Sequence, residues 1–161
     1  MLLIVWHSRT GASRALAEAA AAGAAAGAAG QARLVGAAEA LPEHFLAARG
    51  YLFVCPENLG TMSGMMKEMF DRCYYALLGQ IEGRAYASMI AAGSDGHGAQ
   101  AQLDRIVTGW RLRRIAPPLI ANLGAQSADE IAAPKVVPSS LLADAAELGA
   151  GMASGLEQRI F

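Results

Sequence analysis

Cysteine is nearly absent from this chain of 161 residues: only Cys55 and Cys73 occur, and neither has a second cysteine at metal-ligand spacing. That argues against a thiolate metal site or a disulfide framework and leaves two reduced, buried thiols as the expectation. Nor is any His/Asp/Glu metal cluster or Ser-His-Asp arrangement legible. An excess of one charge is also missing. Thirteen Lys and Arg stand against fourteen Asp and Glu, a formal net charge of −1, which argues against nucleic acid, an anionic membrane surface or a strongly acidic docking protein as the main partner. No apolar run approaches the roughly 20 residues of a membrane span. Met1 leads straight into a strand with no basic segment before it, so a cytoplasmic protein without a membrane partner is expected.

Apolar side chain, by contrast, is plentiful. At 54% hydrophobic and 17% charged, the chain can bury one sizeable core, and residues 1–161 read as a single domain. Apolar β-type runs alternate with helix-period runs, the pattern of a parallel sheet covered on both faces. Strands are expected at residues 2–6, 32–35, 51–55 (ended by Pro56), 86–92 and 115–121, the last demoted toward an edge by Pro117 and Pro118.

The helices carry their own signals. Residues 13–28 read as a first helix, with the Ala/Gly tract at 19–30 a plain helix that frays where glycines accumulate. Met65, Met66, Met69, Phe70, Cys73 and Leu77 form one buried face, with Lys67, Glu68, Asp71 and Arg72 opposite. Leu103, Ile106, Val107 and Trp110 mark another stripe. At the C-terminus, Ser139 or Ser140 is expected to cap a helix that turns Leu141, Leu142, Ala145, Leu148, Met152 and Leu156 inward. Five strands with intervening helices make a flavodoxin-like, doubly wound, three-layer α/β/α fold with strand order 2-1-3-4-5.

In such sheets ligands bind outside the carboxyl ends of the strands, at the point where strand order reverses. Three polar, glycine-rich loops are predicted there: residues 8–13, 57–64 and 93–98. The first joins an oily strand to a helix N-terminus through hydroxyls and a glycine. Backbone N–H groups and the positive helix end then converge on one point, so the loop can hold a phosphate.

The residues also carry a resemblance. Ser8-Arg9-Thr10-Gly11-Ala12-Ser13 resembles the phosphate loop of flavodoxins. Residues 56–72, above all Gly60-Thr61-Met62-Ser63-Gly64-Met65-Met66-Lys67 and Phe70-Asp71-Arg72, resemble the flavin-loop and helix segment of NAD(P)H-dependent FMN reductases and of quinone reductases of the tryptophan-repressor-binding-protein type. Residues 93–114 are similar to the second flavin loop and helix of flavodoxin-family proteins. The C-terminal third carries no specific motif.

That resemblance implies FMN as cofactor. Ser8, Thr10 and Ser13 would donate hydroxyls to its 5′-phosphate, the N–H groups of Arg9 through Ser13, with Ala12 among them, would close around it, and Gly11 would supply the turn. Glu57, Asn58, Leu59, Gly60, Thr61 and Met62 would follow the ring. Ser63 would either join them or cap the next helix. Gly93, Ser94, Asp95, Gly96 and His97 would border the pyrimidine end, where Asp95 opposes negative charge on reduced flavin. His97 is the one candidate for proton delivery, against a plain solvated loop histidine. His7 reads as a strand-end residue and His44 as part of a polar connector. The flavin, not a side chain, carries the chemistry.

Electron-carrier flavodoxins usually sandwich the ring between aromatics and are strongly acidic. Here the two ring loops hold no Trp, Tyr or Phe and the net charge is near zero, although Tyr74, Tyr75 or a neighbouring subunit remain candidates to cover the ring. The resemblance therefore implies an NAD(P)H-dependent oxidoreductase acting on a quinone, a flavin or a similar small acceptor. A one-electron carrier and a non-redox binding module are the alternatives. Arg105, Arg111, Arg113 and Arg114 are candidates for an NADPH phosphate or else a solvated helix end. Reductases resembling this chain often pair subunits so that a neighbour helps to form the substrate pocket, so the resemblance also implies a possible homodimer.

Overall fold

The computed structural model describes residues 1–26 and 32–161. Its strands are β1 (Leu2–Trp6), β2 (Ala32–Gly36), β3 (Gly50–Asn58), β4 (Thr61–Met62), β5 (Ala85–Ala92), β6 (Arg113–Arg114) and β7 (Leu119–Asn122). Its helices are α1 (Ala12–Ala26), α2 (Pro42–Ala47), α3 (Gly64–Leu77), α4 (His97–Gly109), α5 (Ala128–Ala132) and α6 (Ser139–Glu157). The main sheet is parallel in the order β2-β1-β3-β5, with β6 and β7 both on the outer side of β5. Counted by position this is the expected 2-1-3-4-5 order.

The last strand departs from the expected continuous run at 115–121. Arg113 and Arg114 pair with Ala85 and Tyr86, whereas Leu119 through Asn122 pair with Met89 through Ala92. Four residues, including Pro117 and Pro118, thus span what two cover on β5, because prolines cannot donate to the ladder. β3 runs on through Pro56 to Asn58 and turns back as the antiparallel β4. The polar connector holding His44 forms the short α2, with Pro42 at its first position.

Strand alternation sorts the core into two layers. Leu3, Val5, Tyr51, Phe53 and Cys55 face α2, α3 and α4. There Phe45, Phe53, Phe70 and Trp110 stack with ring centroids 4.9–5.3 Å apart. Met66 and Met69 are buried in this layer, while Met65, expected inside, is exposed. Burial pushes the Cys55 thiol up to about 12 and also raises that of Cys73, so both are inert core groups.

Leu2, Ile4, Leu52 and Val54 face the other way, toward α1 and α6. That layer is built of small residues: Ala12, Ala17, Ala20 and Ala24 on α1, and Ala145, Gly149 and Ala153 on α6. A Cβ on Gly23 would overlap the Ala146 carbonyl, and one on Gly149 would overlap the Ala20 carbonyl. Gly23 therefore marks a helix crossing rather than a frayed end, and the remainder of the predicted fraying, at 27–30, lies outside the described residues. The same close approach corrects α6. Leu141, Leu142 and Leu148 flank the contact only partly buried, because the small residues occupy it. Its N-cap is Pro138, with no side-chain cap from Ser139 or Ser140. No helix among the described residues is long and apolar enough to cross a membrane.

Candidate functional site

A cleft of about 860 Å³ opens at the carboxyl ends of β1, β3 and β5, within the roughly 300–1,000 Å³ of small-ligand and cofactor sites. It stands at the switch point, where the chain leaves β1 for β2 on one side and returns to β3 on the other. Its lining comes from Ser8, Arg9, Thr10, Ala12 and Ser13 after β1, from Pro56 through Gly60, from Ala91 through Ser94, and from the segment that follows β7.

The first loop leads into the N-terminus of α1. Gly11 takes φ +97°, a left-handed conformation open to glycine at little cost, and the chain then enters the helix at Ala12. The Ser8 hydroxyl accepts the Gly11 N–H at 3.1 Å and keeps its own proton to donate. Ser13 is 1% exposed, lines the cleft, and its Oγ has no hydrogen-bond partner among the described residues. A buried hydroxyl left unpaired costs about 1–3 kcal/mol, so Ser13 borders the cleft with its hydrogen-bonding capacity unspent. Thr10 and exposed Arg9 complete the loop's lining.

The second loop is a hairpin whose tight turn is Leu59-Gly60, at φ +52° and +75°. A leucine in that region is held at a cost. It stands fully exposed on the rim of the cleft.

Below the turn, several residues expected along the ring do structural work instead. Glu57 lines the cleft but spends its carboxylate on the N–H groups of Gly96 (2.9 Å) and Ala99 (3.1 Å), capping α4. Met62 is buried, and its N–H donates to Gln102 Oε1 at 2.8 Å. Thr61 turns its hydroxyl onto the Asn58 and Met62 carbonyls. Fully buried Ser63 stands at the N-cap position of α3 without capping it. Its Oγ instead shares a 2.8 Å hydrogen bond with His7 Nδ1. Burial and the nearby Arg9 charge both lower the His7 pKa, consistent with a neutral ring that accepts from the serine. His7 thus ties the first loop to the second.

In the third loop, Gly93 and Ser94 line the cleft, whereas Asp95, Gly96 and His97 do not. His97 is the exposed first residue of α4. Of the eighteen residues the resemblance implied, Ser8, Arg9, Thr10, Ala12, Ser13, Glu57, Asn58, Leu59, Gly60, Gly93 and Ser94 come together. Gly11, Thr61, Met62, Ser63, Asp95, Gly96 and His97 stand behind or beside them.

Two further sets of candidates lie away from the cleft. Arg113 and Arg114 pair with the first residues of β5, so they lie about 20 Å from the cleft end of that strand at 3.3 Å per residue. Arg111 is paired with Glu82 at 3.1 Å and Arg114 with Asp104 at 2.6 Å. Arg111, Arg113 and Arg114 thus fit the alternative of solvated, ion-paired residues away from the cleft. Tyr74 packs on Tyr75 and borders a small cavity beside Trp110 and Arg111, away from the cleft. No aromatic side chain lines the cleft among the described residues.

Sequence reasoning missed the fourth wall, formed by Leu123, Ala125, Ile131, Ala132 and Lys135. One local signal was available. Ser127 and Glu130 have the spacing of a capping box, and in α5 they use it, with Glu130 Oε2 accepting the Ser127 N–H at 2.9 Å.

Residues 32–125 match the family of NADPH-dependent FMN reductases. A protein named flavodoxin from Aquifex aeolicus is 32% identical over 107 residues, which is 66% of this chain and 58% of that protein. The match thus spans little more than half of the relative's length. Among solved structures, an archaeal flavodoxin superposes with TM-score 0.77 at 14% identity, covering 97% of this chain and 98% of that one. A WrbA-like flavodoxin from Agrobacterium tumefaciens superposes with TM-score 0.75 at 18% identity, covering 98% and 97%. At such identities these two show a shared fold.

Proposed function

Because the chain belongs to the NADPH-dependent FMN reductase family, we propose that it is an FMN-binding oxidoreductase that takes electrons from NAD(P)H and delivers them to a quinone, a free flavin or a similar small acceptor. The carrying observation is Ser13, a cleft-lining residue at the N-terminus of α1 whose buried hydroxyl has no hydrogen-bond partner among the described residues. A phosphate monoester offers it an acceptor and also suits the first-turn N–H groups, which have no partner inside the helix. The residues present fit FMN.

Ser8, Thr10 and Ser13 donate to the phosphate in this reading, and Arg9 adds a charge beside it. Pro56, Leu59, Ala91, Ala92, Leu123 and Ala125 give the cleft an apolar lining suited to a flat ring. Backbone groups of Asn58 through Gly60 and of Gly93 and Ser94 border that ring. Glu57 holds the second and third loops at a set spacing by capping α4. FMN, when bound, supplies the redox chemistry. With no aromatic side chain over the cleft, room is left for a nicotinamide and then an acceptor to stack in turn.

A one-electron carrier is the second reading, favoured by the 32% identity to a protein named flavodoxin. An anaerobic visible spectrum of the FMN-loaded protein during NADPH addition separates the two. Rapid bleaching of the flavin band is expected of a reductase, whereas a bound flavin that stays oxidised supports the carrier. Failure to take up FMN at all overturns both in favour of a non-redox binding module.

A further inference from the structure

Between β7 and α6 the chain borders the cleft as a strap, through Leu123, Ala125, Ile131, Ala132 and Lys135. It is tied down at both ends. Asn122 Nδ2 donates to the Ser94 carbonyl at 2.7 Å, and the Ala125 carbonyl lies 2.6 Å from where a Cβ on Gly93 would stand. At the far end Val137 is buried in the small-residue core. Just before it, the Lys135 N–H donates to the Thr10 carbonyl at 2.8 Å. The Lys135 carbonyl lies 4.0 Å from the Cβ position of Gly11. The strap backbone is therefore in contact with the first loop at its turn, and Lys135 lines the same cleft as Ser8, Thr10 and Ser13.

Resting on the FMN reading, we propose that Lys135 is a phosphate-binding cation of this site, delivered over the first loop by the strap. Its ammonium is held by main-chain carbonyls at the end of α5, those of Glu130, Ile131 (3.0 Å) and Ala133 (2.6 Å). No carboxylate stands within ion-pair distance of it among the described residues. The nearby Glu130 carboxylate is held by the N–H groups of Gln126 and Ser127 and feels the Lys135 charge only as a weaker influence. Neutral carbonyls position a lysine without cancelling its charge. The charge thus remains available to the phosphate that the FMN reading places beside Ser13, a residue of the same cleft that is 1% exposed and whose hydroxyl has no partner among the described residues. The four-carbon stem and three rotatable donors of a lysine allow it to hold the carbonyls or to turn one proton onto a phosphate oxygen.

The test is calorimetric titration of the flavin-free full-length protein with FMN and, separately, with riboflavin, which lacks the phosphate. Lys135→Met is expected to weaken FMN about ten- to hundred-fold, the worth of one hydrogen bond to a charged group, and to leave riboflavin unchanged. Lys135→Arg is expected to retain FMN affinity. Thermal unfolding of each variant establishes that it folds, and Lys135→Gln, which keeps a donor for the carbonyls, is read in the same way should Met not be tolerated. Equal weakening of both flavins overturns the proposal, since Lys135 would then only hold the strap, and unchanged FMN affinity overturns it equally. If the unaltered protein binds neither flavin, the FMN reading itself falls and this inference with it. A protein that binds both, with FMN insensitive to Lys135, loses only the inference.

Discussion

Gly149 of α6 faces Ala20 of α1 with no room between them for a single methyl group. The pair explains why a stretch that looks like low-complexity sequence is folded and specific. Helix propensity favours Gly149→Ala by about 1 kcal/mol, but overlap with a backbone carbonyl forces the two helices apart. Overpacking of this kind costs about 1–3 kcal/mol, and more where backbone must move. The substitution is therefore expected to lower Tm, by roughly 2–4 °C per kcal/mol lost in a chain of this size. Gly151→Ala, on the same helix with nothing within 4 Å, is expected to raise it. A stabilised Gly149→Ala protein would contradict the crossing.

Ser13→Ala removes a buried hydroxyl that has no partner among the described residues of the flavin-free fold. The flavin-free protein should gain about 1 kcal/mol or more, since an unsatisfied polar group disappears at nearly constant volume. FMN affinity should fall about tenfold in the same variant. Opposite signs in a melting curve and a flavin titration are the signature of a group reserved for a ligand.

Thr10→Glu places a carboxylate in the first loop, where the phosphate is assigned. Like-charge repulsion and occlusion should abolish FMN binding, measured by retention of yellow colour on gel filtration. Unchanged affinity would move the phosphate elsewhere.

Glu57→Ala strips α4 of its cap, leaving the N–H groups of Gly96 and Ala99 without acceptors. A loss of about 1–2 kcal/mol is expected, the usual worth of an N-terminal cap. Hydrogen exchange should accelerate at residues 94–99 more than in β1 or β3; uniform acceleration would mean that Glu57 acts on the whole fold rather than on this junction.

His7 is expected to make stability depend on pH. Its pKa in the fold lies below the 6.5 of a free histidine, first through burial and then through the Arg9 charge. The unfolded chain therefore takes up a proton on acidification before the folded one does. The associated stability is fully present above pH 6.5 and is lost as pH falls from there through the folded pKa. His7→Gln, which offers Ser63 another acceptor, should lose less stability than the unaltered protein between pH 7.5 and 5 in paired urea titrations. Equal losses would clear His7 of this role.

Whatever depends on neighbours in the chain could be read from sequence alone: the apolar runs of β1, β3 and β5, the buried face of α3, the Ser8-to-Ser13 turn into a helix, and hence the fold and the address of the cleft. Those features arise from local periodicity, hydroxyls and backbone freedom, which few residues encode. Only tertiary structure decided what each site residue does there. The register between β1 and β3 brings His7 onto Ser63, 56 positions away. The pairing of β3 with β5 brings Glu57 onto α4, and the return of the chain after β7 lays Lys135 on Thr10. The Ala/Gly tract likewise acquires its meaning only when α6 packs against it. A hydroxyl or carboxylate has several partners open to it in sequence, and burial against one distant group selects among them.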